Sequence, residues 1–139
     1  MSKQQYLGVY SPDNVDVIVA GLTIDGLGEE MIEVERLDPE DFKAKVGPKG
    51  DTTFVENLNR AGKIKISVKQ NAGNAQKYLR ALSAARSLFA VQIVAKGSYT
   101  ELVNATTCVV GLTPRKNFKA DEQDRVWEIL AAQIIEQDN

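Results

Sequence analysis

The chain has 139 residues, 43% of them apolar and 26% charged, which is the size and composition of one globular domain. Its net charge of −2 argues against a basic field that would attract nucleic acid or an anionic membrane. The absence of histidine excludes a histidine general base and imidazole metal ligands, and the single cysteine, Cys108, excludes an internal disulfide and a thiolate zinc cage. We therefore predict one domain over residues 1–139 that is not an enzyme and has no catalytic residues, metal or cofactor.

The chain begins with polar residues, and no apolar run approaches the ~20 residues of a transmembrane helix. The sequence therefore predicts neither a signal peptide nor a membrane-spanning segment, and we expect assembly inside a cell.

The first part of the chain has the pattern of β-strands. Val15–Gly21 is largely apolar on both faces, which is typical of a sandwich or barrel strand. Asp25–Gly26 follows and predicts a hairpin turn between two apolar runs. In Met31–Leu37 apolar residues alternate with Glu33 and Glu35, so we expect a strand with both glutamates on one face.

The segment KAKVGPKGDTTF lies within a predicted long loop at about residues 38–60. Its glycines suggest a phosphate-binding loop, but Gly50 is followed by Asp51 instead of the lysine and hydroxyl residue that such a loop needs. We interpret the segment as a turn in which Pro48 fixes φ and Gly50 allows a positive φ. A connection of about 25 residues is longer than ordinary hairpin loops and is typically functional or ordered by a partner.

The strand pattern is clearest in Lys63–Gln70, KIKISVKQ, where isoleucine and valine face one way and lysine the other. The spacing then becomes helical and predicts one amphipathic helix at about residues 74–87, with Asn74 as its N-cap. Phe89–Lys96 and Glu101–Gly111 return to the strand pattern, joined by the turn GSYT.

The C-terminal segment DRVWEILAAQIIEQ fits two structures. Val126, Leu130 and Ile134 are four residues apart, as in a helix, whereas Trp127 and Ile129 alternate with polar or small residues, as in a strand. The spacing alone slightly favours a helix, and the two adjacent alanines add to that preference.

The order of these elements resembles the tail tube proteins of contractile-tailed bacteriophages over nearly the whole chain. The shared features are an early strand ending at Gly21, a strand ending in Glu35–Arg36, the Gly47…Gly50 loop, a strand led by Gly62, a helix opened by Asn74, and the Pro…Phe…Trp ending within PRKNFKADEQDRVWEI.

The resemblance implies a mainly β, antiparallel sandwich or barrel-like subunit with one flanking helix. It also implies that residues 125–135 form a strand or strand pair, and we adopt that interpretation over the helix. Subunits of this family form six-membered rings that stack into a hollow tube, surrounded by sheath protein and bounded by baseplate and tail-terminator proteins. DNA passes through the lumen without specific binding. The expected location is the tail of a virion assembled in the cytoplasm of a bacterial host.

In such a tube, the long loop is the predicted contact with the next ring, because a charged segment rich in glycine and proline can stay mobile until a neighbour orders it. Its predicted contact residues are Lys45, Val46, Gly47, Pro48, Lys49, Gly50 and Asp51. Glu33 and Glu35 are candidates for the lumen lining, since a DNA conduit should lack a continuous basic surface. The alternative for both glutamates is a solvated outer face.

Two other functions are compatible with the sequence. The tube of a phage-derived bacteriocin or injection system is similar in fold and is the nearer alternative. A single-stranded nucleic-acid-binding module of the OB type would use Lys63, Lys65 and Lys69, but no stacking aromatic residue occurs between Phe54 and Tyr78.

Overall fold

A computed structural model of the chain describes residues 11–97 and 99–139. A short 3₁₀ turn, Pro12–Asn14, precedes the first strand. The described strands are β1 (Val15–Val19), β2 (Leu22–Thr23), β3 (Leu27–Arg36), β4 (Phe42–Val46), β5 (Thr52–Glu56), β6 (Gly62–Lys69), β7 (Phe89–Lys96), β8 (Thr100–Leu112), β9 (Asp124–Ala131) and β10 (Ile134–Asp138), and the α-helix is α1 (Gly73–Ala85).

Eight strands form one antiparallel sheet in the order β2-β1-β7-β8-β9-β6-β3, with β10 also paired to β8. Strands β4 and β5 pair only with each other and stand apart from this sheet. The prediction of a mainly β, antiparallel fold with one helix is confirmed. The sheet does not close into a barrel in the described part of the chain, because its end strands β2 and β3 are not hydrogen-bonded to each other.

The sheet curls around a single apolar core. Strands β1 and β6 are separated in the sheet by β7, β8 and β9, yet their buried side chains belong to one cluster with residues of α1. The alternation predicted for β6 is confirmed, since Ile64, Ile66 and Val68 are fully buried while Lys63 and Lys65 lie on the opposite face. Trp127 and Cys108 are also core residues.

Helix α1 confirms the helix predicted at about residues 74–87, but the predicted N-cap is wrong. Ala72 occupies the N-cap position without a side-chain hydrogen bond, and Asn74 lies inside the first turn. The N-cap therefore lies two residues earlier than predicted. Backbone hydrogen bonds from Ala72 N to Lys69 O and from Gly73 N to Asn71 O form the turn that leads into the helix. The helix ends at Arg86, whose φ of 52° reverses the chain.

The C-terminal segment is a strand pair, β9 and β10, so the strand interpretation is confirmed and the helical spacing was misleading. Cys108 opposes Ala131 and Ala105 opposes Ile134. Strands β9 and β10 therefore pair with successive parts of β8 in the same register. The apolar residues imitate helical spacing because Val126 is apolar although it lies on the outer face of β9, where it is about 39% exposed.

The hairpin turn predicted at Asp25–Gly26 is wrong. The tight turn is Ala20–Gly21, where φ values of 51° and 87° connect β1 to its partner β2. Asp25–Gly26 instead leads from one edge of the sheet to the other, and the Gly26 carbonyl accepts a hydrogen bond from Lys69 N. In the predicted turn GSYT, Ser98 lies outside the described residues.

Candidate assembly surfaces

The predicted long loop is a β-hairpin that projects from the sheet. We call residues 42–56, strands β4 and β5 with their turn, the arm. Every residue of both strands is exposed. Residues 42–46 and 52–56 of the predicted loop are therefore strands: Lys45 and Val46 lie in β4, and only Gly47–Asp51 form a turn. The alternation of apolar and basic residues in FKAKV is the signal that we missed.

The tip of the arm has the turn geometry predicted from its proline and glycines. Gly50 N donates to Gly47 O at 3.0 Å, which places Pro48 at the second position of a four-residue turn. Gly50 adopts a φ of 87°, which favours glycine, and Gly47 N donates to Asp51 O at 2.7 Å. No helix begins here, so a phosphate would find none of the N–H groups that a phosphate-binding loop presents.

The two faces of the arm differ in chemistry. Ala44 opposes Phe54, and Phe42 and Val46 lie two residues to either side of Ala44, so these four side chains share one face. The face is largely apolar, with Thr52 and Glu56 at its two ends. Phe42, Val46 and Phe54 are 59%, 69% and 72% exposed. Isolated two-stranded hairpins are marginally stable in water, and an apolar face this open is typical of a surface that a partner covers.

The other face of the arm is basic. Lys43 and Lys45 lie beside Val55 and Thr53, and neither lysine makes a salt bridge with any described residue. Lys49 at the tip adds a third positive charge, against two carboxylates, Asp51 and Glu56, in the arm. The arm is therefore both apolar and cationic.

The base of the arm is fixed by polar contacts. Arg36 at the end of β3 forms an ion pair with Asp41 and donates to Asn59 O at 3.1 Å. The hydrogen bond and charge of Arg36 lower the pKa of Asp41. Asn57 donates from its backbone to Asp41 O at 2.8 Å and from its side chain to Glu40 O at 2.7 Å. The base is well defined although both strands are exposed.

The two glutamates predicted for the lumen lie beside lysines. Glu33 opposes Lys65 and Glu35 opposes Lys63, so all four share the outer face of the sheet. Lys65 Nζ lies 4.0 Å from a Glu35 carboxylate oxygen, and Lys63 Nζ lies 3.8 Å from Glu128 on β9. Charges on this face alternate in sign and nearly cancel, so the acidic and basic residues form one surface and not two.

The same face lacks what a nucleic-acid-binding module would need. Both lysines lie opposite glutamates, and the residues that β9 adds to this face include Val126, Glu128 and Leu130 but no aromatic side chain. Binding of single strands relies on stacking aromatics beside unopposed cations. This arrangement does not favour the OB-type alternative.

A cleft lies at the other end of the β3–β6 ladder, where the two edges of the curled sheet approach. We call it the seam cleft. It encloses about 540 Å³ and is lined by Pro12, Asp13, Val15, Asp16, Thr23, Ile24, Asp25, Gly26, Leu27, Gly28, Glu29, Met31 and Lys69. Its four carboxylates make no salt bridge with described residues. No sequence pattern indicates the cleft, because its residues come from three separate segments.

A bulge in β3 shapes one wall of the seam cleft. From Leu27 to Ile32 the chain advances five residues while its partner β6 advances two, from Val68 to Ile66. Gly28 fits where a Cβ would collide with Asp124 and Ser67, and Met31 has a φ of 50°. The extra residues are thereby pushed outwards beside the cleft.

The described residues contain neither a metal-binding cluster nor an activated thiol. No group of three or more histidine, cysteine or acidic side chains in residues 11–97 and 99–139 could hold a metal ion. Burial raises the pKa of the Cys108 thiol to about 11, far from that of a reactive thiolate. The helix that the structure describes is too short to cross a membrane.

Comparison with known proteins gives a likeness in structure alone. No protein-family model matches the chain, and no curated protein matches its sequence. The tube-terminating cap of the anti-feeding prophage (AFP) matches it with a TM-score of 0.67 and 13% identity, over 100% of this chain and 96% of that chain.

Two further structures come from an extracellular contractile injection system, PVC. A chain of its extended sheath/tube terminator has a TM-score of 0.63 and 13% identity, over 98% of this chain and 99% of that chain. A chain of its extended sheath-tube complex has a TM-score of 0.63 and 13% identity, over 93% and 91%. This chain is similar in fold to components of contractile injection systems.

Proposed function

We propose that the chain is a structural subunit of a contractile tail or injection system, and specifically a tube subunit whose rings stack through the arm. The observation that carries the proposal is the arm itself: a well-anchored hairpin that leaves its whole apolar face uncovered. The fold likeness to tube-associated proteins over 91–100% of the chains supports it. The arm is the element that contacts the next ring, through Phe42 and Phe54 as well as the tip.

Within a ring, neighbouring subunits associate through the edges of the curled sheet. β3 pairs on one side with β6, and β10 pairs on one side with β8, so each has an edge with unpaired backbone groups in the described structure. Such edges pair readily with strands of another chain, and a ring covers them without closing the subunit itself into a barrel. Six subunits in each ring is the number implied by the resemblance to tail tube proteins.

The charged face is our candidate for the lumen, with Glu33 and Glu35 as its acidic members. Alternating charges leave no continuous basic stripe, so a nucleic acid would find few phosphate contacts to hold it. Opposite charges on neighbouring strands stabilise the face modestly, by roughly 0.2–1 kcal/mol for each pair. A neutral lining would also suit a protein cargo, as in an injection system. We propose a conduit for DNA in a phage tail, with an injection device as the alternative.

A second candidate is a terminator that ends a tube instead of extending it. The specific observation in its favour is that two of the similar structures are a tube-terminating cap and a sheath/tube terminator. The two functions differ in one property, because a tube subunit stacks on copies of itself and a terminator does not.

Negative-stain electron microscopy of the purified protein over a range of concentrations distinguishes these functions. Stacked rings or hollow filaments support a tube subunit, and rings that remain single at every concentration support a terminator. A protein that stays monomeric at the highest concentration contradicts both proposals.

A further inference from the structure

We propose that the seam cleft of one subunit receives the arm of a second copy in the adjacent ring. This inference rests on the proposed function and names the partner surface for the arm. The contact is heterologous: a donor surface at one end of the molecule meets an acceptor at the other end. Such contacts propagate into open filaments unless rotation closes them into a ring.

The arm and the seam cleft lie at opposite ends of the β3–β6 ladder. The ladder begins at the arm with Arg36 opposite Gly62 and ends at the cleft with Leu27 opposite Val68. With ~3.4 Å per residue, the length of β6 separates the two surfaces by roughly 24 Å. The arm of a subunit therefore lies away from the seam cleft of the same subunit. An arm that fills the cleft belongs to another copy.

The chemistry of the two surfaces is complementary. The arm presents three lysines against two carboxylates, Asp51 and Glu56, so its net charge is positive. The seam cleft presents Asp13, Asp16, Asp25 and Glu29 against Lys69. Unpaired charges of opposite sign on two surfaces fix the register of docking and speed up the encounter.

The apolar parts match as well. Leu27 and Met31 line the seam cleft together with its carboxylates, so the cleft offers apolar contact to the arm as well as charge. Its volume of about 540 Å³ lies within the ~300–1,000 Å³ of pockets that enclose ligand-sized groups, which is room for one aromatic side chain of the arm and its neighbours.

A second cavity in the described structure fits the arm less well. It lies between α1 and β8, encloses about 360 Å³, and is lined by Leu82, Ser83, Arg86, Val109, Val110, Gly111 and Thr113. It contains a guanidinium and no carboxylate, so it would repel the lysines of the arm. The seam cleft, with its acidic lining, is therefore the better acceptor for the arm of the two cavities.

Two charge-reversal variants and their mixture test the proposal. The cleft variant is Asp16→Lys with Glu29→Lys, and the arm variant is Lys43→Glu with Lys45→Glu; all four side chains are exposed, so the fold should tolerate the changes. We expect each variant alone to form rings whose stacking requires a protein concentration about tenfold higher or more. In an equimolar mixture of the two kinds of ring, both mixed interfaces carry opposite charges: intact arm on intact cleft, and reversed arm on reversed cleft. Alternating rings should therefore stack into filaments again.

A disulfide test gives an independent result. Lys45→Cys with Asp25→Cys should yield a ladder of covalent multimers on oxidation, because each copy then carries a donor and an acceptor thiol. The native Cys108 is 1% exposed and should not contribute. The matched control is Lys45→Cys with Glu136→Cys, which moves the second thiol to β10, away from the cleft, and should give no ladder beyond the dimer.

The results separate this inference from the proposed function. Wild-type protein that never forms rings or filaments contradicts the proposed function itself. Wild-type filaments together with unimpaired stacking of the cleft variant, or a cysteine ladder no longer than that of the control, overturn the seam cleft as the acceptor. A cleft occupied by residues 1–10 of its own chain would appear as a disulfide between Asp25→Cys and a cysteine placed in that segment, within one copy, and would also overturn it.

Discussion

Arg36 and Asp41 form an ion pair, with Nη1 and Oδ1 2.5 Å apart, at the point where the arm leaves the sheet. Arg36 lies at the end of β3 and Asp41 immediately before β4, so the pair closes the base of the arm. The ion pair links the end of β3, in the sheet, to the arm, which is the surface that we propose as the stacking contact.

The pair predicts how the arm responds to acid. Hydrogen bonding to Arg36, and then its charge, lower the pKa of Asp41 below the ordinary 3.8. A carboxyl with a lowered pKa stabilises the folded arrangement above its unfolded pKa, and this contribution is lost as the pH falls through the lower, folded value. We therefore expect the base of the arm to remain intact at pH 5 and to loosen only in strong acid.

Carbon-13 NMR titration of the Asp41 carboxyl measures this directly. The wild-type resonance should titrate below 3.8, and Arg36→Gln should return it to the ordinary range. Arg36→Lys, which keeps the charge but loses the guanidinium geometry, should give an intermediate value. An ordinary Asp41 pKa in the wild type would show that the pair does not form in solution.

The apolar face of the arm predicts a separation between folding and assembly. Phe42→Ser with Phe54→Ser removes two aromatic side chains that are 59% and 72% exposed, so the free energy of unfolding should change by less than about 0.5 kcal/mol. Stacking should be abolished, because aromatic anchors dominate interface energies. Val55→Ser on the basic face of the same hairpin is the matched control and should stack normally.

Sedimentation velocity and thermal unfolding, applied to the same samples, check this prediction. If the double variant stacks as the wild type does, the apolar face is not the contact. If it unfolds at a much lower temperature, the arm contributes to the fold in a way that its exposure does not indicate.

A buried hydrogen bond predicts the strength of the link between helix and sheet. Gln76 accepts from Trp127 Nε1 at 3.0 Å and donates to the carbonyls of Val68 and Lys69 at 3.3 and 3.1 Å. Gln76→Leu keeps the volume but leaves the buried indole N–H without its acceptor, which should cost about 1–3 kcal/mol of unfolding free energy in urea. Lys77→Leu, on the exposed neighbour, should change it by less than about 0.5 kcal/mol.

The buried thiol predicts low reactivity and a decline of stability in alkali. Burial raises the pKa of Cys108 from 9.0 to about 11. Because the folded pKa is the higher one, its contribution to stability is complete below pH 9 and is lost as the pH rises towards 11. A thiol-specific disulfide reagent should therefore react far more slowly with native than with urea-unfolded protein at pH 8, and equal rates would place the thiol at the surface.

The sequence predicted those parts of the fold whose signal is local. Strict alternation in β6 leaves one interpretation, since Ile64 and Ile66 have lysines between them and all of the apolar residues are buried. The C-terminal strand is harder, because Val126 and Leu130 make its outer face apolar too and so imitate helical spacing. There the family resemblance decided correctly where periodicity did not.

The candidate site could be predicted only in part. Gly50 and Pro48 identified the turn, but attention to these two residues hid the alternation of Phe42 and Ala44 that makes the arm a hairpin. The seam cleft has no sequence signal, since it exists only when the sheet curls and brings residues near Asp13 and Lys69 together. Contacts between distant segments of this kind depend on the tertiary fold, which no short window of sequence contains.

Our main proposal is that copies of this chain stack through the arm. Electron microscopy of wild-type protein beside the Phe42→Ser, Phe54→Ser variant, at the same concentration, is the decisive experiment. We expect hollow filaments for the wild type and single rings for the variant. Filaments in both samples, or rings and filaments in neither, would contradict it.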